Sequence, residues 1–394
     1  MPDSVTSLLS NYYDAVPYDS HPFPQTAAEH LEAIAFLFGL ETPPPAGARV
    51  LELGCASGGN LIPFAARHPG ASALGVELSP VQAQRGAQAV ERAGLANLRL
   101  RTFDIADIDD SFGQFDYIIC HGVYSWVPRQ VQEAILRVCS RNLAQKGVAY
   151  VSYNVYPGWK SREIVRDAMV LRGGPRDEPE EKLSYARGML DFLEQSARPG
   201  SVLKATLEDM MPIVRSASAS YLMHEFLEPC NAPCYFKEFV ARANQLGLAY
   251  MADAEPATMF VQNYGEQVRG PLLRECGGSQ LMMEQYLDFL VNRTFRQSLL
   301  VKQERAQQIR YRLDPARLRQ LEYAGVFFAE DGGPITLDAR EQPCHALRNL
   351  KVTLRPPVHK AVALVLDERY PASVPVRTLV TAVSERIGEP RATV

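Results

Sequence analysis

The chain has 394 residues, 46% of them hydrophobic, with 41 Lys and Arg against 45 Asp and Glu and a net charge of −4. It is too long for one ordinary domain and apolar enough to bury two or three cores, and no run of about 20 apolar residues is present to span a bilayer. From Gln285 onward there are 17 Lys and Arg against 12 Asp and Glu, so an acidic body precedes a mildly basic tail, and no nucleic-acid partner is expected.

Residues 1–30 lack a basic start followed by an apolar segment, so no secretory signal is expected. Instead Asn11 to Thr26 carries aromatics among prolines and should lie against the body of the protein. Thr26 as N-cap with Glu29 three residues on predicts a helix through Leu31, Ile34 and Phe38 that Gly39 closes. Past the Pro43-Pro44-Pro45 linker, Arg49 to Leu53 reads as a buried strand, Gly54 to Gly59 as a tight turn, and Leu61, Ile62, Phe64 and Ala65 as the start of a helix. This is the opening of a nucleotide-binding α/β unit: glycines admit a ligand close to the backbone, with helix N–H groups behind them.

Downstream positions agree with it. Ala73 to Val76 reads as a second buried strand ending at Glu77, where an acid would accept both hydroxyls of a ribose. A dinucleotide would suit that much. The spacing Glu-x-Gly-x-Ala-x-Gly from Glu52, and a third strand ending at Phe103 before Asp104-Ile105, point to S-adenosylmethionine instead, leaving a dehydrogenase or an empty loop as the alternatives. Ala56 stands where the motif usually has its second glycine, which matters only if that position needs φ > 0. A fourth strand ends at Cys120 and delivers His121, Tyr124 and Trp126 to the carboxyl edge of the sheet, where ligands bind. His121 is a base, a cofactor contact or a wall. A helix from Val131 to Leu143 and a strand from Gly147 to Tyr153 follow and bring Tyr153 and Tyr156 to the same crevice, with Gly158-Trp159 as a structural turn.

Residues 160–300 read as helical. Leu183, Ala186 and Leu190 share one face, as do Met210, Met211 and Val214, which are packing rather than a ligand box; Leu248 to Ala252 is strand-like and could return to the sheet, and Ser279 caps a long helix to Leu300. The seven cysteines, Cys230 and Cys234 included, read as packed thiols of a cytoplasmic protein, without the paired spacing of a metal site.

Several long stretches carry a resemblance: Pro17 to Thr26, Leu51 to Pro63, His121 to Pro128, Tyr153 to Trp159, His224 to Glu228 with Tyr235 to Phe239, and Gln285 to Gln297. Together they resemble the class I methyltransferases that carry a methyltransferase regulatory domain, a family similar to bacterial outer-membrane protein lysine methyltransferases. The resemblance implies an α/β fold with a Rossmann-like sheet, a helical middle domain and a winged-helix-like α+β C-terminal domain. It divides the chain into an N-terminal arm and helix at 1–42, the methyltransferase core at 43–165, a helical regulatory region at 166–305 and a C-terminal domain at 315–394. In that last domain Ala316 to Tyr323 would be a helix, Val326 to Phe328 and Pro334 to Leu337 strands, and Ala361 to Leu366 and Val376 to Arg386 helices. Relatives run on past this point, so this member is either short or a truncated form.

The cofactor so implied is S-adenosyl-L-methionine, held by Glu52, Gly54, Cys55, Gly58, Asn60, Glu77, Leu78, Asp104, Ile105 and His121, with Asp104 facing the adenine amino group. Tyr13, Tyr18, Phe23 and Gln25 would fold over its methionine end, where aromatic faces attract a cation, or else form a structural arm. Tyr18, His121, Tyr124 and Tyr153 are the candidate catalytic residues, and Tyr13, Phe23, Trp126 and Tyr156 the candidate substrate pocket. The acceptor is expected to be a lysine of a protein, possibly an outer-membrane protein. A small molecule, or a non-catalytic role through partners, remains as an alternative.

Overall fold

The computed structural model describes residues 20–347 and 350–390, which fall into two compact units divided between Tyr311 and Arg312. The first unit is built on strands β1 (Arg49–Leu53), β2 (Ser72–Glu77), β3 (Leu98–Thr102), β4 (Phe115–Cys120) and β5 (Leu143–Asn154), with β6 (Leu248–Asp253) and β7 (Phe295–Lys302) joining late. Their order is β3-β2-β1-β4-β5-β7-β6, parallel through β5, with β7 antiparallel to both neighbours. The central strand β4 is buried at all six positions, as expected of a parallel strand covered on both faces.

Helices cover those faces. The first, α1 (Ala28–Leu37), is followed by α2 (Leu61–Arg67), α3 (Pro80–Arg92) and α4 (Arg129–Asn142). Thr26 does not cap α1: its hydroxyl donates instead to Phe23 O at 2.9 Å, and Ala27 takes the N-cap position without a side-chain bond. Ser79 does cap α3, accepting from Gln82 N at 3.1 Å. Next comes a helical layer, α5 (Gly158–Gly173), α6 (Pro179–Ser196), α7 (Val202–Ser216) and α8 (Ala219–Phe226), closed around its own core of Leu183, Leu190, Met210, Met211 and Phe226. Gly158 starts α5 because a Cβ there would lie 2.4 Å from the carbonyl oxygens of Asn292 and Arg293.

Helices α9 (Phe236–Gln245), α10 (Glu266–Glu275) and α11 (Gln280–Leu290) flank the two late strands. Strand β6 lies where the sequence suggests it. The expected helix from Ser279 to Leu300 does not: Ser279 caps α11, but the helix stops at Leu290, Asn292 turns to φ 48°, and Phe295 to Lys302 is a strand. Arg296, Gln297 and Ser298 are polar yet buried, so this strand shows neither alternation nor an apolar run.

The second unit holds α12 (Pro315–Leu318), β8 (Glu322–Tyr323), β9 (Phe327–Ala329), β10 (Gln342–Ala346), β11 (Leu350–Leu354), α13 (Pro357–Arg369), β12 (Val374–Pro375) and α14 (Val376–Ile387). Strands β9, β10 and β11 form one antiparallel sheet, and β8 pairs with β12. The expected helix across 316–323 breaks after one turn, and 334–337 is loop rather than strand. In its place β10 and β11 make the hairpin, and Lys360, wholly buried on α13, ties down the preceding loop by donating to Asp338 O at 3.0 Å. Among the described residues no helix is long and apolar enough to cross a membrane.

Candidate active site

The loop after β1 is shaped by its backbone. Gly54 N and Cys55 N both donate to Val76 O, at 2.9 and 3.0 Å, which pins the loop to the end of β2. Gly54 has φ 74°, and a Cβ there would come within 2.5 Å of Val123 Cγ2; Gly58 has φ 77° with Leu100 Cδ1 at 2.8 Å. Both positions therefore exclude any side chain. Ala56 also adopts the left-handed region, at φ 47°, which costs a non-glycine residue about 1–2 kcal/mol. Its N–H is held by Glu77 Oε2 at 2.9 Å, while Glu77 Oε1 accepts from Ser79 N at 2.9 Å. Glu77 thus fastens the loop, and any ribose hydroxyl would share its carboxylate with two amides.

Beneath the loop lies a buried acid. Glu52 Oε1 accepts from Asn60 Nδ2 at 2.9 Å, and Oε2 is buried with no hydrogen-bond partner among the described residues. Burial pushes the carboxyl up to about 7, with Asn60 pulling it down and Glu77 adding to the rise. Asn60 also accepts from Phe23 N at 3.1 Å and donates to Thr26 Oγ1 at 2.9 Å, and Gly59 N donates to Ser20 Oγ at 2.8 Å. Residues 20–26 are thereby laced over the loop. Tyr13 and Tyr18 lie outside the described residues, and Gln25 is half-buried on this segment. Leu78 is half-buried just past Glu77, Cys55 is buried, and Asp104 turns back to accept from Ala106 N at 2.8 Å, with Ile105 buried beside it.

At the ends of β4 and β5 the arm and the sheet meet. His121 is half-buried, its ring 4.1 Å from that of Phe23 and 6.1 Å from that of Phe295. Its Nδ1 is 2.8 Å from Tyr150 Oη and 3.3 Å from Ser152 Oγ, and Ser152 Oγ accepts from Gly122 N at 2.8 Å. Tyr150 and Ser152 share one face of β5, two residues apart. Tyr153 is on the other face, so the expectation that it lines the crevice with Tyr124 is not met. Tyr153 stacks on Phe239 at 3.9 Å and shares a hydrogen bond of 2.9 Å with Ser298 Oγ, and Tyr124 packs edge-on against both rings. Burial pushes the Tyr124 hydroxyl up to about 12, against the pull of Arg242. Trp126 packs edge-on to buried Trp159, and the Tyr156 hydroxyl donates to Glu163 at 2.6 Å.

Sequence reasoning thus missed Ser20, Tyr150, Ser152 and Gln297. The parity of β5 could have found the two middle residues, since a strand that turns Ser152 toward His121 must turn Tyr153 away. Gln297 closes the Gln285 to Gln297 stretch of the resemblance, but a helix is expected there, and nothing in the sequence turns its side chain toward Tyr150.

A cradle that a Cβ would fill, an orphaned buried carboxylate oxygen, and acids at the ends of β1 and β2 with Asp104 past β3 suit an adenosyl ligand with a cationic centre. The comparisons agree. A family described as "Methyltransferase domain" matches residues 51–149, and one described as "Predicted methyltransferase regulatory domain" matches residues 218–302. The uncharacterized protein RP789 of Rickettsia prowazekii is 41% identical over 307 residues, 76% of this chain, and the chain spans about half of that relative, 55% of its length. RP028 of the same organism is 37% identical over 234 residues, 94% of its length and 59% of this chain. Among solved structures, PKMT2 from Rickettsia typhi in complex with AdoHcy superposes with a TM-score of 0.80 at 30% identity, covering 96% of this chain and 73% of that one. The chain therefore belongs to the class I S-adenosylmethionine-dependent methyltransferases that carry a methyltransferase regulatory domain.

Proposed function

We propose that the chain methylates a lysine side-chain amine of a protein substrate. The observation that carries this reading is the His121 corner, where a half-buried imidazole stands between the rings of Phe23 and Phe295 at the carboxyl edge of the sheet. Such a corner lowers the local dielectric and offers aromatic faces to a cationic nitrogen. The similarity to PKMT2 and the resemblance of the long motifs to outer-membrane protein lysine methyltransferases support the same acceptor. When bound, S-adenosylmethionine supplies an activated methyl group on a sulfonium centre. Gly54, Gly58 and Asn60 would shape the cradle that holds it, with Glu52 beneath, Glu77 at the ribose, and Leu78, Asp104 and Ile105 at the adenine. Cys55, behind the loop, keeps a packing role. Phe23, on the arm that Asn60 fastens, would exclude water from the reacting end, and alignment then contributes most of the rate. Trp126 and Tyr156, farther along the same edge, would contact the substrate chain. The seven cysteines are all thiols, which supports a cytoplasmic setting for the reaction.

The test is calorimetric titration of S-adenosylmethionine and S-adenosylhomocysteine, followed by labelled-methyl transfer to a panel of bacterial membrane and cytosolic proteins. Label on protein lysines is the expected result. Binding without protein label would redirect the assignment to a small-molecule acceptor or a non-catalytic cofactor-binding module, and no binding would overturn the reading of the glycine loop at Gly54.

A further inference from the structure

Gly59 is the glycine of the loop whose own backbone asks nothing of glycine. Gly54 and Gly58 stand at φ 74° and 77°, whereas Gly59 lies outside the left-handed region. What excludes a side chain there is a neighbour. A Cβ on Gly59 would come within 2.5 Å of Ser20 C and 2.6 Å of Ser20 O and His21 N. All three are main-chain atoms, so no side-chain rotation relieves the contact, and Ser20 and His21 rest on the loop backbone to backbone.

The segment that rests there is held at few points. Gly59 N donates to Ser20 Oγ at 2.8 Å, Phe23 N donates to Asn60 Oδ1 at 3.1 Å, and the Phe23 ring meets that of His121 at 4.1 Å. The main-chain N–H of Phe23 only donates, so the Asn60 oxygen must face it, which turns the NH2 to Thr26 Oγ1 and Glu52 Oε1, each at 2.9 Å. One side chain thus ties the floor of the cradle to the segment above it. Within residues 20–26 only Thr26 is buried, and it adjoins α1, whose Leu31 and Ile34 are core residues. A stretch with so little buried, anchored at one end by a packed helix, can open without unfolding the domain.

Its course decides what opening would do. The loop follows β1 and His121 follows β4, and these strands are neighbours at the point where the sheet order reverses. Ser20 touches the loop and Phe23 touches His121, so the segment crosses the crevice in which open α/β sheets bind their ligands.

We infer that Gly59 and Asn60 are positioning residues that seat residues 20–26 as a strap across the mouth of the cofactor cradle, and that this strap must lift for S-adenosylmethionine to enter and S-adenosylhomocysteine to leave. The inference rests on the cradle proposed above and is independent of which acceptor is methylated.

The experiment measures association and dissociation rates of S-adenosylhomocysteine on the full chain by surface plasmon resonance. In Gly59→Ala the added Cβ lifts the strap, so both rates should rise by about tenfold or more, with Kd changing less than either. Ser20→Ala removes one bond of the strap and adds no atom to the loop, and should raise both rates by about threefold. It decides the question alone where Gly59→Ala does not fold. A merely distorted cradle would release the ligand faster without filling faster, so a change confined to dissociation in either variant would overturn the strap, as would unchanged rates in both. Failure of the wild type to bind at all would instead overturn the cradle, and the strap with it.

Discussion

The ends of β1 and β2 and the late strands β6 and β7 belong to one sheet and are built on opposite principles. The first region is made of backbone: two glycines that tolerate no Cβ, a left-handed alanine, and amides tied to Val76 and Glu77. The second is made of buried charge. Arg296, 1% exposed, donates from Nε and Nη2 to Asp288 at 2.9 Å each and from Nη1 to Glu284 at 2.8 Å, with its guanidinium 3.7 Å from the centre of the Phe236 ring. Arg293 bridges Asp288 at 2.7 Å, and Asp253 lies 3.5 Å from Arg296. Burial holds Asp253 up at about 6, with Arg296 and Arg293 pulling it down. The contrast teaches where each region is fragile. A backbone cradle fails when an atom is added, and a buried ion cluster fails when one is removed.

The largest effect should therefore come from Arg296→Met, which leaves Glu284 without its cation in the core and Asp288 with Arg293 alone. A loss of about 3–5 kcal/mol is expected in urea unfolding. A loss below ~1 kcal/mol would erase the distinction between the two regions.

Gly54→Ala sharpens the comparison from the other side. A Cβ at φ 74°, 2.5 Å from Val123 Cγ2, should weaken S-adenosylmethionine binding by roughly 100-fold, about 3 kcal/mol, in calorimetry. Gly54→Arg should abolish binding, while unfolding shifts less than for Arg296→Met.

Glu52 makes the loop region pH-sensitive. Unfolded, its carboxyl loses the proton near 4.5; folded, near 7. Between those values the folded chain binds more proton, so stability falls as pH rises from about 4.5 to about 7, by up to about 3 kcal/mol for this group. Unfolding of the ligand-free chain at several pH values should show Glu52→Gln flattening that slope and leaving the part due to Asp253, which is raised from 3.8 to about 6.

The smallest effect is Ala56→Gly. Relief of the left-handed strain, offset by the greater freedom of glycine in the unfolded chain, predicts a gain of up to about 1 kcal/mol in thermal unfolding, with cofactor binding retained. A loss of stability would mean that the loop carries no strain at Ala56.

How much was legible follows the same division. Glu52, Gly54, Glu77 and Asp104 could be read in order because a strand, a glycine turn and a strand-end acid are each local events, set by periodicity and by which residues tolerate φ > 0. Strand β6 was readable from its apolar run. Strand β7 was not, because Arg296 and Gln297 are polar residues whose burial depends on Glu284, Asp288 and Glu255 arriving from elsewhere. Thr26 looked like a helix cap by its spacing, but its hydroxyl turns back to Phe23 O and accepts from Asn60, which only the fold brings beside it.

By itself, then, the sequence determined the α/β core, its glycine cradle, the strand-end acids and the family. The tertiary structure decided which tyrosines reach the crevice: Tyr150 faces His121, while Tyr153 and Tyr124 pack against Phe239. The reason is physical. Composition tells that a strand is buried on both faces but not which parity faces the ligand; that choice is made by β7 pairing beside β5 and by α9 filling the other side.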